Sequence, residues 1–188
     1  RIIPVRGSWI DMEIDPKDIV YIRIDRRRKF PVTLLFKAFG YTTDDLLTYF
    51  YDTDKIVIRG TDYFKTFQVK SLKGQRASQD IIDPGTGDMI VKKGRMFTQR
   101  AIRQIKNAGM EMIPIERDDI LNTIIASTVT DPNTGDTIAR ATHPVDEEIL
   151  NRILDAGITD FEILFIDWVS SSDSIRKTLI LDKVDSKE

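Results

Sequence analysis

Asp83-Pro84-Gly85-Thr86-Gly87-Asp88 returns 48 residues later as Asp131-Pro132-Asn133-Thr134-Gly135-Asp136. This pair decides the fold, because the same offset holds downstream without a gap. Thr98 aligns with Asp146 as a helix N-cap, Ile102 with Leu150, and Ile105 with Ile153. Ala108-Gly109 aligns with Ala156-Gly157, where glycine stops each helix. Each copy then enters a strand, Met112 to Ile115 and Phe161 to Ile166. The unit reads as strand, tight turn, strand, capped helix, glycine stop and strand. Two copies are too few for a solenoid, so the pattern predicts a pseudo-duplicated α+β subdomain over about residues 75–167.

Upstream the texture differs. Ser8 to Asp15 alternates apolar Ile10, Met12 and Ile14 with acidic Asp11, Glu13 and Asp15, the period of a half-buried strand. Asp15-Pro16-Lys17-Asp18 is a turn, and Ile19 to Ile24 returns as a second strand. Pro31 suits a first helical turn, followed by a short apolar helix from Val32 to Phe39 that Gly40 stops. Thr42 or Thr43 caps a second helix through Asp44, Leu46, Leu47 and Phe50. From about residue 52 this hairpin and helical pair give way to the repeat. Beyond the repeat, Ser170 to Asp173 reads as a loop and Thr178-Leu179-Ile180-Leu181 as a closing strand. The fold class is α+β, a hairpin with helices that carries an inserted α+β subdomain.

The 188 residues suffice for one or two domains, and 41% hydrophobic with 31% charged side chains is an ordinary folded composition. Net charge is −2, which argues against a protein that coats nucleic acid wholesale. The charge is uneven, however. Residues 1–40 hold nine basic side chains against five acidic ones, an excess of four that leaves −6 on the other 148 residues. Much of that excess lies in Arg23-Ile24-Asp25-Arg26-Arg27-Arg28-Lys29-Phe30-Pro31. With Trp9 sixteen residues before Asp25, the cluster suggests a polyanion-facing surface with one aromatic to stack on a base and one acceptor for a base edge. There is no cysteine, hence no disulfide and no thiolate metal site. No apolar run approaches the roughly 18–20 residues that span a bilayer. The start at Arg1 rather than Met reads as a piece of a longer polypeptide.

Several patterns invite chemistry and are better explained without it. Asp11, Glu13 and Asp15 could suggest a magnesium triad, but strand periodicity already accounts for their spacing. The two Asp-Pro-x-Thr-Gly-Asp turns resemble the start of a calcium loop, yet the twelfth position, a bidentate Glu in an EF-hand, is Gly94 in one and Thr142 in the other. Val91-Lys92-Lys93-Gly94 places its lysines after the turn, unlike a carrier-domain tip, and the second copy has Ala139-Arg140-Ala141-Thr142. His143 is the only histidine, with no nucleophile or orienting acid arranged around it. No phosphate-binding loop, dinucleotide turn or zinc spacing is present.

The sequence resembles the bacterial DNA-directed RNA polymerase β-subunit family. Arg1-Ile2-Ile3-Pro4-Val5-Arg6-Gly7-Ser8-Trp9, Asp15-Pro16-Lys17-Asp18 and Arg23 to Pro31 match its pattern in order and spacing, and Tyr41-Thr42-Thr43 extends the match. The resemblance implies a lobe part over residues 1–51, a lineage-variable insertion over 52–168 and a return segment over 169–188. It implies that Trp9 stacks on an unpaired non-template base and that Asp25 belongs to a guanine-recognising pocket. Arg26, Arg27 and Arg28 then serve as backbone contacts or buttresses of that pocket. Some relatives carry an Arg shortly after Thr-Leu near the end, where this chain has Ile180, so no DNA contact is assigned there.

The implied partners are the β′, α and ω subunits, a sigma factor, DNA and transcription regulators docking on the insertion. The implied location is the cytoplasm, associated with the nucleoid, with no membrane partner. No cofactor is expected in this chain, and the resemblance places the catalytic magnesium and its aspartates elsewhere in a nucleotidyltransferase. On its own the chain should be inactive and bind DNA weakly and salt-sensitively. The competing reading is a structural protein-interaction module with no direct DNA contact. An independent nuclease or phosphotransferase would need a magnesium-dependent activity that requires Glu13.

Overall fold

Asp15 closes the first hairpin with its side chain. Its carboxylate accepts from the backbone N–H groups of Lys17 and Ile19, both at 2.9 Å, and Asp18 takes the left-handed conformation at φ 60°. An aspartate that bonds its own backbone two residues on is a turn builder. The flanking strands β1 (Ile10–Ile14) and β2 (Val20–Ile24) pair antiparallel, with Ile10 opposite Ile24 and Met12 opposite Ile22. A two-residue strand, β3 (Phe30–Pro31), adds to β2 at the sheet edge, the position where a residue without an N–H is tolerated. The computed structural model describes residues 1–67, 72–166 and 172–182. It is of mixed α and β type, with four small sheets and five α-helices among those residues.

Two short helices follow the sheet. α1 (Val32–Ala38) starts directly from β3, and Gly40 turns the chain at φ 97° before α2 (Thr43–Phe50). Thr42 caps α2 in a reciprocal box: its hydroxyl accepts from Asp45 N–H, and the Asp45 carboxylate accepts from Thr42 N–H at 2.8 Å. Two expectations need correction. Thr178 to Leu181 lies in a helix, α5 (Ser174–Leu181), and is not a closing strand. Its β-branched and apolar residues favour a strand locally. Tertiary packing overrides that preference, burying Ser174, Thr178 and Leu179 on one helical face while Ile180 and Leu181 face solvent. Likewise Met12 and Ile14, expected on a buried strand face, are 47% and 64% exposed. The expected loop over Ser170 and Ser171 lies outside the described residues.

The chain divides into two compact units, Arg1–Asp52 with Ile166–Glu188, and Thr53–Phe165. In the first, Ile22, Val32, Leu46 and Leu47 are buried, together with polar groups. Asp182, just beyond α5, accepts from the Thr33 hydroxyl at 2.9 Å and pairs with Lys37 Nζ at 3.2 Å, all three buried. The Tyr51 hydroxyl donates to the Ser172 carbonyl at 2.9 Å and accepts from Arg176 N–H at 3.1 Å.

The second unit is built on a five-stranded sheet of order β8-β5-β4-β12-β9. Its strands are β4 (Asp52–Arg59), β5 (Asp62–Thr66), β8 (Met112–Ile115), β9 (Ile124–Ile125) and β12 (Asp160–Phe165). Between them lie two hairpins, β6 (Ile81–Ile82) with β7 (Met89–Val91), and β10 (Val129–Thr130) with β11 (Thr137–Ala139). Each hairpin leads into a nine-residue helix, α3 (Gln99–Asn107) or α4 (Glu147–Asp155). Their turns have one geometry. Asp83 N–H donates to Asp88 O at 2.9 Å and Asp131 N–H to Asp136 O at 2.8 Å, with Gly87 and Gly135 both at φ 77°. The Asp83 and Asp131 carboxylates accept from Gly85 and Asn133 N–H at 2.8 and 2.7 Å, so these acids build turns. Thr98 and Asp146 cap the two helices, whose Ile102, Ile105, Leu150 and Ile153 enter one continuous apolar core.

Candidate nucleic-acid interface

The site begins where the β1–β2 ladder runs out. Asp25 and Arg26 both have positive φ, 51° and 58°, a conformation that Asp adopts more readily than most residues. Asp25 N–H still donates to Trp9 O at 2.9 Å, extending the ladder by one bond. The reciprocal bond comes from the side chain: Trp9 N–H donates to Asp25 Oδ1 at 2.8 Å. The carboxylate therefore substitutes for a strand carbonyl and fixes the Trp9 backbone. That bond, then a hydrogen bond from Ser8, and the nearby Arg27 charge hold the Asp25 carboxyl below its ordinary range. The group stays ionised, and charge-assisted bonds of this type are the stronger ones.

Trp9 is partly exposed, and the Arg26 guanidinium lies over its ring, 5.4 Å from the centroid. Such a contact orients an aromatic plane at a surface site. Arg27 and Arg28 line a hollow of about 380 Å³ with Ser8, Ile24, Asp25 and Phe30. Lys29 turns away from it, lying 4.3 Å from the Tyr21 ring centroid and 3.2 Å from a Glu13 oxygen. The five residues singled out in the sequence, Trp9, Asp25, Arg26, Arg27 and Arg28, thus fall on one hairpin end. Trp9 and Asp25 are bonded to each other through the Trp9 main chain. Ser8 and Phe30 complete the surface and were not singled out in the sequence. Only the adjacency of Ser8 to Trp9 pointed to the first.

The alternating carboxylates of β1 have other tasks. Asp11 pairs with Arg1, Glu13 pairs with Lys29 and Arg23, and Asp15 builds the turn. They do not converge, and among the described residues no group of three His, Asp or Glu side chains could hold a metal ion. His143 Nδ1 lies 3.3 Å from the carbonyl of Ala141, within its own loop. Among the described residues no helix is long and apolar enough to cross a membrane.

The sequence that builds this surface has counterparts among known proteins. Residues 1–83 match the family model of RNA polymerase Rpb2, domain 2. Over all 188 residues the chain is 55% identical to the DNA-directed RNA polymerase subunit beta of Desulfatibacillum aliphaticivorans, covering 14% of that relative. It is 58% identical over 187 residues to the subunit beta of Desulforapulum autotrophicum, and 43% over 189 to that of Sorangium cellulosum, covering 13% and 14% of them. Over its whole length the chain matches a segment of bacterial RNA polymerase β subunits, and it spans about one seventh of the length of these curated relatives.

Proposed function

We propose that residues 1–51 and 169–188 form the distal lobe of a β subunit and that residues 52–168 are a pseudo-duplicated insertion within it. Its task is to grip DNA in a transcribing polymerase, with Trp9 stacking on an unpaired non-template base. Asp25 is the acceptor at a guanine-recognising surface, and Arg26, Arg27 and Arg28 position the strand. Nucleotidyl transfer and its magnesium chemistry belong to other parts of the assembly, whose partners to this chain are the β′, α and ω subunits and a sigma factor. The insertion is a dock for transcription regulators, and the assembly works in the cytoplasm at the nucleoid.

The observation that carries this reading is the coupling of Trp9 to Asp25 by the 2.8 Å and 2.9 Å bonds, with Arg26 over the indole. An aromatic held in place before the base arrives loses little freedom on stacking. Trp9→Ala in the whole polymerase tests it. Stacking is worth about 1–3 kcal/mol per base, so the lifetime of open promoter complexes should change by about tenfold. An unchanged lifetime would favour a scaffold with no direct DNA contact.

A further inference from the structure

A second basic tract lies in the other unit. Residues 90–106 carry Lys92, Lys93, Arg95, Arg100, Arg103 and Lys106 and no acidic side chain. The stretch 48 residues on, 138–154, carries two basic side chains and three acidic ones. Both stretches run from a short strand through a turn into a capped nine-residue helix, so the scaffold does not demand the charge of the first. Lys93 pairs with Glu116. The other five are exposed.

Lys92 and Arg95 have no carboxylate partner among the described residues. Arg76 reaches the same place from the neighbouring chain segment, where it bridges to Met96, and its guanidinium is steadied by a 2.9 Å bond to the Gly94 carbonyl. Arg76, Lys92 and Arg95 together line a hollow of about 480 Å³ whose lining includes Ile90, Met96 and Thr98 and no acid. Like charges gathered without a counter-charge repel one another, and a bound polyanion relieves that repulsion. The cations also continue past the hollow along α3, at Arg100 and Arg103, which are neighbours at i and i+3. A line of charge suits successive phosphates better than one isolated anion.

We propose that this hollow and the adjoining edge of α3 bind the phosphate backbone of a nucleic-acid strand, one phosphate resting among Arg76, Lys92 and Arg95. The site is independent of the role given above to Trp9 and Asp25. The test uses the 188-residue chain and a fluorescein-labelled 20-nucleotide single strand, titrated by anisotropy at several salt concentrations. Reversing Lys92→Glu, Arg95→Glu and Arg100→Glu together should weaken binding more than tenfold at low salt. The slope of log K against log salt should fall by about 1.4, two phosphate contacts at roughly 0.7 each. The milder pair Lys92→Gln and Arg95→Gln should move both readings the same way by a smaller amount, guarding against misfolding of the triple variant. The proposal is overturned if both variants bind the strand as the parent does. It is also overturned if poly-glutamate of equal length binds as tightly and is lost by the same substitutions, which would reassign the surface to an acidic polypeptide. Arg26→Gln, Arg27→Gln and Arg28→Gln in the same assay bear only on the lobe surface, so failure of one reading leaves the other standing.

Discussion

In the unit formed by residues 53–165, isoleucines, leucines and phenylalanines from both hairpin–helix stretches and from the five-stranded sheet enter one apolar core. In the unit formed by residues 1–52 and 166–188, Thr33, Lys37, Asp173, Ser174, Thr178 and Asp182 are buried along with Leu46, Leu47 and Leu179. The first interior is held mainly by hydrocarbon burial, which is non-directional and tolerant of small shifts. The second depends on bonds of fixed direction between charged and hydroxyl groups, where removal of one partner is costly. The unit with the aromatic–arginine surface is therefore the one whose shape is set by polar pairing. The separation is not complete, since Asp54, buried in the larger unit, pairs with Lys65 at 3.5 Å.

The sharpest way to break this contrast is Lys37→Met. It deprives the buried Asp182 carboxylate of its ammonium and should cost about 3–5 kcal/mol. Hydrogen exchange should report the loss in the amides of α1 and α5. Adding Asp182→Leu should recover most of it, because an apolar pair no longer carries a buried charge; failure to recover would mean that the pair is a net stabiliser. Ile105→Ala, at a fully buried position of the other unit, should cost about 2–5 kcal/mol with exchange rising through α3 and its sheet neighbours. A loss that spread equally through both units would dissolve the distinction.

The smallest expected effect is a pH dependence that differs in sign between the units. Asp25, held low by Trp9 N–H, Glu13 by Lys29, Asp11 by Arg1 and Asp45 by Thr42 are all carboxyls below their ordinary values of 3.8 or 4.5. Folded groups with lowered pKa contribute fully above the ordinary value, and the contribution fades as pH falls through the lowered one. Lys55 and Lys93 of the larger unit, raised by Asp160 and Glu116, contribute below 10.5 and lose that contribution as pH rises further. Amide NMR from pH 7 down to 3 should therefore disturb the β1–β2 end before α3 or α4. Simultaneous disturbance in both units would count against the assignment.

Local structure was legible wherever a few neighbouring residues decide it. The Asp15 turn, the Thr42 cap, and the N-caps Thr98 and Asp146 follow from side chains bonding to backbone two or three residues away. What failed depends on distance along the chain. The five-stranded sheet pairs β5 with β8, and Phe64 meets Pro114 across fifty residues, a match no local pattern specifies. Thr178 to Leu181 has strand-like residues, yet the Thr178 hydroxyl accepts from Val20 N–H at 2.9 Å, a partner 158 residues away. The five residues of the candidate interface were legible, but their mutual geometry was not. The bond from Trp9 to the Asp25 side chain exists because positive φ at Asp25 interrupts the ladder. The basic tract from Lys92 to Lys106 was visible in the composition and was eclipsed by the denser arginine run upstream.

The smaller unit is discontinuous, its parts separated by the 113 residues from Thr53 to Phe165. During synthesis, at roughly 5–20 residues per second, its first part must wait on the order of 5–20 s for α5 and Asp182 to leave the ribosome. Lys37 has no Asp182 throughout that interval, while the larger unit already has all of its own strands and can close first. A nascent chain from which Phe165 but not Ser174 has emerged should thus have its larger unit complete while the smaller one is not. That is the stage at which a chaperone would find exposed surface to hold.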